Sequence, residues 1–376
     1  MKKNIAFITG TRADFGKLKS LLRMLYCQED RYNIHIFVTG MHMLAKYGYT
    51  CEEVENCNFK NIYKFINQNT HDTMDSILAK SILGFSDYVK EVKPDLIVVH
   101  GDRVEALAGA TVGSLNNVLV AHIEGGEVSG TVDGLIRHAI TKMSHFHFVA
   151  NEEAQNRLIQ LGEQSSSIFV IGSPDIDIMM SPSLPSLEEV KKWYELPYDK
   201  YGVLIMHPVT TEVDQLADHT KSLLSALVED DLNYVVIYPN NDTGSEIILN
   251  EYKHLQGNKK FRIFPSMRFE YFLSLMKGAK LVIGNSSAGI REAPIYGVPS
   301  VNLGSRQHNR AFAKTIVHSS FEPAEIRNAI LRAKNISERP TFQFGRGNSN
   351  QLFSEILNKS NIWSASTQKF FVDQQA

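Results

Sequence analysis

Three acids stand in or just beyond two successive strand-like runs. Asp102 follows the run 96–100, Glu124 follows 118–123, and Asp133 comes shortly before a helical pattern at 135–144. Carboxylates that converge in a cleft raise one another's pKa, so at least one can carry a proton near neutrality and serve as an acid. The same residues would also serve as helix caps or as partners of Arg103 and Arg137. A second stretch, 281–294, passes from a short β-branched run through Gly284, Ser286, Ser287, Ala288 and Gly289 into a predicted helix at 289–296. A strand, a small-residue turn and a helix start together make an anion site. The first N–H groups of the helix lack partners within it, and missing side chains let a phosphate approach the backbone. Glu292, on the first predicted turn, offers oxygens to a ribose diol. An ordinary serine-capped strand–helix turn fits the same spacing.

Other candidates lie at further strand ends. Gly10-Thr11-Arg12-Ala13-Asp14-Phe15-Gly16-Lys17 comes near a phosphate-binding P-loop but fails it: the glycines are one residue too far apart, and Leu18 replaces the magnesium-binding Ser or Thr. It can still present N–H groups, Arg12 and Lys17 to a phosphate. His42 follows the strand 34–39, and His207-Pro208 ends another strand as a phosphate or sugar contact. Asn240 opens Asn-Asn-Asp-Thr-Gly, which also reads as a plain turn. His100, His122, His138, His145 and His147 have no metal-site spacing, so no metal is expected.

The elements that must position these groups alternate. Strands at 4–9, 34–39, 96–100, 118–123, 147–150 and 168–171 interleave with helices at 16–25, 71–92, 104–114, 135–144 and 152–161. The proline-bearing stretch 174–197 interrupts the rhythm, which resumes with strands at 202–206, 234–238, 261–264, 281–283 and 300–303. The expected fold is α/β: two Rossmann-like domains with parallel sheets, 1–175 and 176–358. A tail at 359–376, with Trp363, Phe370 and Phe371, is expected to pack back on the first domain. Ligands of such sheets sit outside the carboxyl ends of the strands, so both sets of residues are expected to line one interdomain cleft.

Composition narrows the classes. A net charge of −2 gives no general attraction to nucleic acid or membrane. Cys27, Cys51 and Cys57 form no CxxC pair, and an odd, low count suits a reducing cytoplasm. Met1-Lys2-Lys3-Asn4 leads into an apolar run too short for a signal sequence, and no run reaches the roughly 18 apolar residues of a membrane helix.

Taken together, several stretches resemble one family. They are Thr9-Gly10-Thr11-Arg12-Ala13-Asp14-Phe15-Gly16, Thr39-Gly40-Met41-His42, His100-Gly101-Asp102-Arg103 and His122-Ile123-Glu124-Gly125-Gly126-Glu127. Asp133 with Ile136-Arg137-His138, His207-Pro208 and the run from Gly284 to Pro294 complete the set. Over nearly the full length the chain resembles the bacterial hydrolysing UDP-N-acetylglucosamine 2-epimerases, which make N-acetylmannosamine for sialic acid. The resemblance implies a glycosyltransferase-B-like fold, with Asp102, Glu124 and Asp133 as acid/base residues. By the same resemblance Arg12, His207, Ser286, Ser287 and Glu292 bind the nucleotide, and Lys17, His42, Asn240 and Gly289 join the substrate set. It implies no cofactor, a UDP-sugar substrate and a homodimer or homotetramer. The first loop reads Gly-Thr-Arg-Ala-Asp-Phe-Gly, where non-hydrolysing relatives carry Gly-Thr-Arg-Pro-Glu. A sister enzyme acting on a 2,4-diacetamido sugar nucleotide, a non-hydrolysing epimerase, a retaining glycosyltransferase and a non-catalytic sugar-nucleotide sensor are the competing readings.

Overall fold

Parallel strands covered on both faces must be largely apolar, and the central strands of this chain are, with polar residues such as Lys3, Asn4, Thr9 and His100 at their ends. The structure is a computed structural model that describes residues 2–69, 71–129, 131–307, 313–337, 340–370 and 372–373. It divides into two compact units, one of Met1–Glu127, Asp133–Ser181 and Gln343–Ala376, the other of Val128–Val132 and Pro182–Phe342.

The first unit contains β1 (Lys3–Thr9), β2 (Tyr32–Val38), β3 (Asn61–Lys64), β4 (Leu96–His100), β5 (Leu119–Ile123), β6 (Phe146–Val149) and β7 (Ile168–Val170). They form one parallel sheet in the order β3-β2-β1-β4-β5-β6-β7. The chain winds outward from β1 in one direction and from β4 in the other. The crevice between their carboxyl ends is therefore the switch point, where a doubly wound sheet holds its ligand. Thr9 to Asp14 leave from one lip and His100 to Asp102 from the other.

The second unit repeats the plan. Its strands are β8 (Tyr201–Ile205), β9 (Asn233–Ile237), β10 (Phe261–Phe264), β11 (Leu281–Gly284), β12 (Ser300–Leu303) and β13 (Ile316–Ser319). They lie parallel in the order β10-β9-β8-β11-β12-β13, so the switch point falls between β8 and β11. Gly284 pairs with Ile205 there, at φ +130, and a Cβ would stand 1.9 Å from the Ile205 carbonyl oxygen. Only glycine fits so close a strand pair at that dihedral.

Three expectations are corrected. The helix predicted at 289–296 is two short 3-10 turns, Ser287–Gly289 and Ala293–Tyr296. Pro294 has no N–H to donate to Ile290, and Gly297 at φ +68 ends the second turn. The helix Arg12–Tyr26 starts four residues early, because Thr11 caps it by accepting from the Asp14 N–H at 3.1 Å. The helix Ser349–Leu357, given to the second domain from sequence, belongs to the first unit. Phe353 is wholly buried there, 4.6 Å from the Phe148 ring.

The tail after it also lies in the first unit. Trp363 donates from its indole to the Leu357 carbonyl at 2.8 Å and packs near Tyr32. Lys369 Nζ donates to the carbonyls of Thr141 and Ser144 at the end of the helix Val132–Met143. Phe370 is 67 % exposed, and Phe371 lies outside the described residues.

The two tryptophans fall one in each unit, Trp193 in the second and Trp363 in the first. Phe353→Ala should therefore destabilise the first unit by about 3–5 kcal/mol. Urea unfolding followed by Trp363 fluorescence in a Trp193→Phe background measures it. An unchanged midpoint would show that residues 349–357 are not part of that core.

Candidate functional site

Two of the three acids stand beside a cation, Asp102 beside Arg137 and Glu124 beside Lys17 and His100. Arg137, on the helix Val132–Met143, is 1 % exposed. Its guanidinium is hydrogen bonded to the Asp102 carboxylate, donates to the Glu124 carbonyl at 2.8 Å and lies 3.9 Å from Glu127. Asp133, also buried, begins the same helix four residues earlier and so shares the face of Arg137.

Glu124 is the most constrained of the three. Its φ is +64, a left-handed conformation uncommon for a side-chain-bearing residue and concentrated at functional sites. Its backbone N–H donates to the Phe148 carbonyl at 2.9 Å. Its carboxylate accepts from Ser173 Oγ and lies 3.3 Å from His100 Nε2 and 4.0 Å from Lys17 Nζ. Lys17 stands 3.3 Å from Asp175, which has no exposed surface. Lys17, expected as a ligand contact, is thus engaged with acids of its own unit. Arg12 likewise lies on the first helical turn, with Nε 3.0 Å from Glu53.

His42 is not a surface contact. It is fully buried, with Nε2 3.2 Å from Thr9 Oγ1 and Nδ1 2.7 Å from Thr50 Oγ1, so it braces the end of β1. Thr9 in turn donates to Asp14 at 2.9 Å, and the Gly10 N–H to the same oxygen at 2.8 Å. Gly40 allows this packing: at φ +65, a Cβ there would lie 2.5 Å from the Gly10 carbonyl oxygen.

In the second unit His207 and Asn285 bridge the switch point. The His207 N–H donates to Asn285 Oδ1 at 2.7 Å, and Asn285 Nδ2 returns a bond to the His207 carbonyl at 2.8 Å. His207 Nδ1 accepts from the Asn240 N–H at 3.0 Å, which places the proton of a neutral ring on Nε2. The Asn240 side chain donates to Asp242 at 2.6 Å. Gln307 and Arg306 both donate to the Asn285 carbonyl. Ser286 and Gly289 help line a pocket with Gly284 and Asn302, and Ser286 Oγ accepts from the Ala288 N–H. Ser287 opens the first 3-10 turn and Glu292 is buried just before the second, so the stretch expected to hold an anion is made of short turns and not of a long helix.

Asp14, His100, Ser173 and Asp175 are the site residues that the sequence reading left out. Ser173 and Asp175 follow β7, so the strand-end rule applied to that strand would have found them. Three of the other histidines bond within the first unit. His122 bonds the Gly101 carbonyl at 2.8 Å, His147 bonds Glu163 at 3.0 Å, and His145 accepts from the Val120 N–H.

These histidines set an expected pH dependence of stability. Burial pulls His42 down to about 4 and His122 to about 3, so both fold neutral. Acidification below their unfolded pKa of about 6.5 therefore lowers stability, by up to about 1.4 kcal/mol per pH unit for each. His100 behaves oppositely: burial pulls it down, but Glu124 and Asp14 outweigh that and raise it to about 9. Its contribution is complete below pH 6.5 and is lost as pH rises through 9. Thermal unfolding of the first unit should show greatest stability near pH 6.5; a steady rise from pH 5 to 9 would contradict these protonation states.

Residues 26–358 match the family described as UDP-N-acetylglucosamine 2-epimerase. The chain is 50% identical over 375 residues to the UDP-N-acetylglucosamine 2-epimerase of Neisseria meningitidis serogroup B, covering 99% of each chain. It is 34% identical to the UDP-N,N'-diacetylbacillosamine 2-epimerase (hydrolyzing) of Legionella pneumophila, covering 96% of this chain and 100% of that one. It is 35% identical to polysialic acid biosynthesis protein P7 of Escherichia coli, covering 94% and 91%. Among solved structures, the Methanocaldococcus jannaschii UDP-GlcNAc 2-epimerase in complex with UDP-GlcNAc and UDP superposes with a TM-score of 0.79 at 25% identity, over 94% of this chain and 99% of that one. Its two parallel sheets with flanking helices have the glycosyltransferase-B-like fold of such structures. With the family match extending from the first helix of one unit through the second and back, the chain belongs to the UDP-N-acetylglucosamine 2-epimerase family.

Proposed function

We propose that this protein is a hydrolysing UDP-N-acetylglucosamine 2-epimerase, which converts UDP-N-acetylglucosamine and water to N-acetylmannosamine and UDP for sialic acid synthesis. The observation that carries the reading is the group of paired acids at the first switch point, Glu124 beside His100 and Asp102 beside Arg137. The hydrolysing branch is supported by the first-loop sequence and by the likeness to the Legionella relative, and the sialic acid purpose by the likeness to the Escherichia coli one. The Legionella relative also favours a second reading, the same reaction on a 2,4-diacetamido sugar nucleotide.

The C2 proton of the substrate is not beside a carbonyl, so direct removal to a free carbanion is too costly. Elimination avoids that. A carboxylate takes the C2 proton, the C–H electron pair becomes the C1–C2 double bond, and the C1–O bond breaks to release UDP. Water then adds at C1 of the glycal, and an acid delivers a proton to C2 from the other face. We assign the acid–base groups to the first unit. The diphosphate we assign to the second, near His207, Ser286 and Ser287, where N–H groups stabilise the departing charge.

In heavy water the N-acetylmannosamine product should carry deuterium at C2, with UDP and sugar released one for one. Nuclear magnetic resonance of the product decides this. Protium retained at C2 would sink the elimination route, and UDP-N-acetylmannosamine as end product would place the protein in the non-hydrolysing branch. Asp102→Asn, Glu124→Gln and Asp133→Asn should each lower turnover by roughly 10²–10⁴-fold. Calorimetry should also show Glu292→Ala binding UDP more weakly by about 1–3 kcal/mol. Unchanged affinity in a folded variant would remove Glu292 from the nucleotide site.

A further inference from the structure

The mechanism above leaves one buried charged group unused. His100 ends β4 with a side chain only 7% exposed, and it stands between carboxylates from two different elements. Nδ1 lies 3.5 Å from Asp14 Oδ1, and Nε2 lies 3.3 Å from Glu124 Oε2. Neither carboxylate can turn away. Asp14 is held through its other oxygen by Thr9 and the Gly10 N–H. Glu124 is held through its other oxygen by Ser173, and at its backbone by Phe148 and Arg137. A neutral imidazole has one donor and one acceptor nitrogen, so it would turn a lone pair toward one of the two carboxylates. Protonation of both nitrogens removes that repulsion and sets a cation between two anions.

We propose that Asp14, His100 and Glu124 act as one charge unit. In it His100, an imidazolium clamped by Asp14, is the positioning residue that orients Glu124 and keeps it ionised for removal of the C2 proton. What Glu124 does in this unit rests on the epimerase reading; what holds His100 does not. Other groups also face the unit, among them buried Glu105, whose carboxyl pKa is pushed up by burial, with Asp14 adding to the rise. Lys17 lies 4.0 Å from Glu124 and faces Asp175, Arg137 bonds the Glu124 carbonyl, and burial keeps His122 on the neighbouring strand neutral. His42, across Thr9, is neutral for the same reason.

The pH profile of kcat separates this role from a merely structural one. Loss of the cation leaves Glu124 easier to protonate. His100→Gln should move the acid limb up by at least about one pH unit, lower kcat near pH 7 by about 10–100-fold and leave KM within about threefold. The alkaline limb expected near 9 should vanish. Asp14→Asn keeps the imidazole but removes one carboxylate, so its alkaline limb should move to lower pH. An equal loss of kcat at every pH in both variants, with both limbs in place, would overturn the proposal. A readout without turnover uses the full chain with isotope-labelled histidine. The His100 ring should stay doubly protonated at pH 7.5 in the native protein and titrate lower in Asp14→Asn. A ring already neutral at pH 7.5 in the native protein would also overturn the proposal, whether or not His100→Gln folds. If the native protein fails to process UDP-N-acetylglucosamine, the epimerase reading falls and the resonance titration still decides the clamp.

Discussion

A guanidinium with 1 % of its surface exposed must have its charge answered on the spot. Arg137 is answered by the Asp102 carboxylate, the Glu124 carbonyl and the nearby Glu127. That requirement joins three pieces of chain that share no secondary structure: the turn after β4, the turn after β5 and the helix Val132–Met143. Removing one partner of such a buried charge costs about 3–5 kcal/mol, far more than the pair adds over an apolar filling. The arrangement is therefore better explained by geometry than by stability. It holds the backbone of Glu124 in a left-handed turn, from which its side chain meets His100, Lys17 and Ser173.

Both units obey the same topological constraint. In each, the sheet is wound outward from two central strands, and the chain leaves their carboxyl ends in opposite directions. No connection covers that crevice, so polar side chains can gather there at little expense to the core. The first unit fills it with titratable groups: Asp14, His100 and Glu124. The second fills it with neutral hydrogen-bonding groups, chiefly the reciprocal pair of His207 and Asn285, beside a glycine that brings the strands together.

How much of this could be read in advance depended on whether the signal was local. Strands β4, β10 and β12 read to the residue, because a short hydrophobic run between turn residues is a complete local signature. The edge strand Asn61–Lys64, half-buried to exposed, has no such run and went unread, as did Ile316–Ser319. The stretch 289–296 has helical periodicity but is punctuated by Pro294 and Gly297, which decided the matter. At the site, the strand-end rule reached Asp102, Glu124, His207 and Ser286. It offered Arg137 as a partner of these acids but not which of them it would bond, nor that His100 would lie between two acids, because those are contacts between segments far apart in sequence. His42 shows the same limit: its sequence position is at a strand end, and nothing local tells that Thr9 and Thr50 enclose it.

The first unit is built from three stretches of chain, and nearly all of the second lies between the second and third of them. Phe353, Leu357 and Ile362 belong to the same core as Ile5 and Phe7, yet they leave the ribosome only after residues 182–342. Domains of most chains mature in the order in which they are made. Here the order is inverted: the second unit can close while the first still lacks the ring that packs on Phe148. During that interval β5 and β6 carry exposed apolar surface beside the turn that holds Glu124. The later unit in this chain's biogenesis is therefore the one bearing the charged groups, and a nascent chain becomes able to fold its second sheet before it can finish its first.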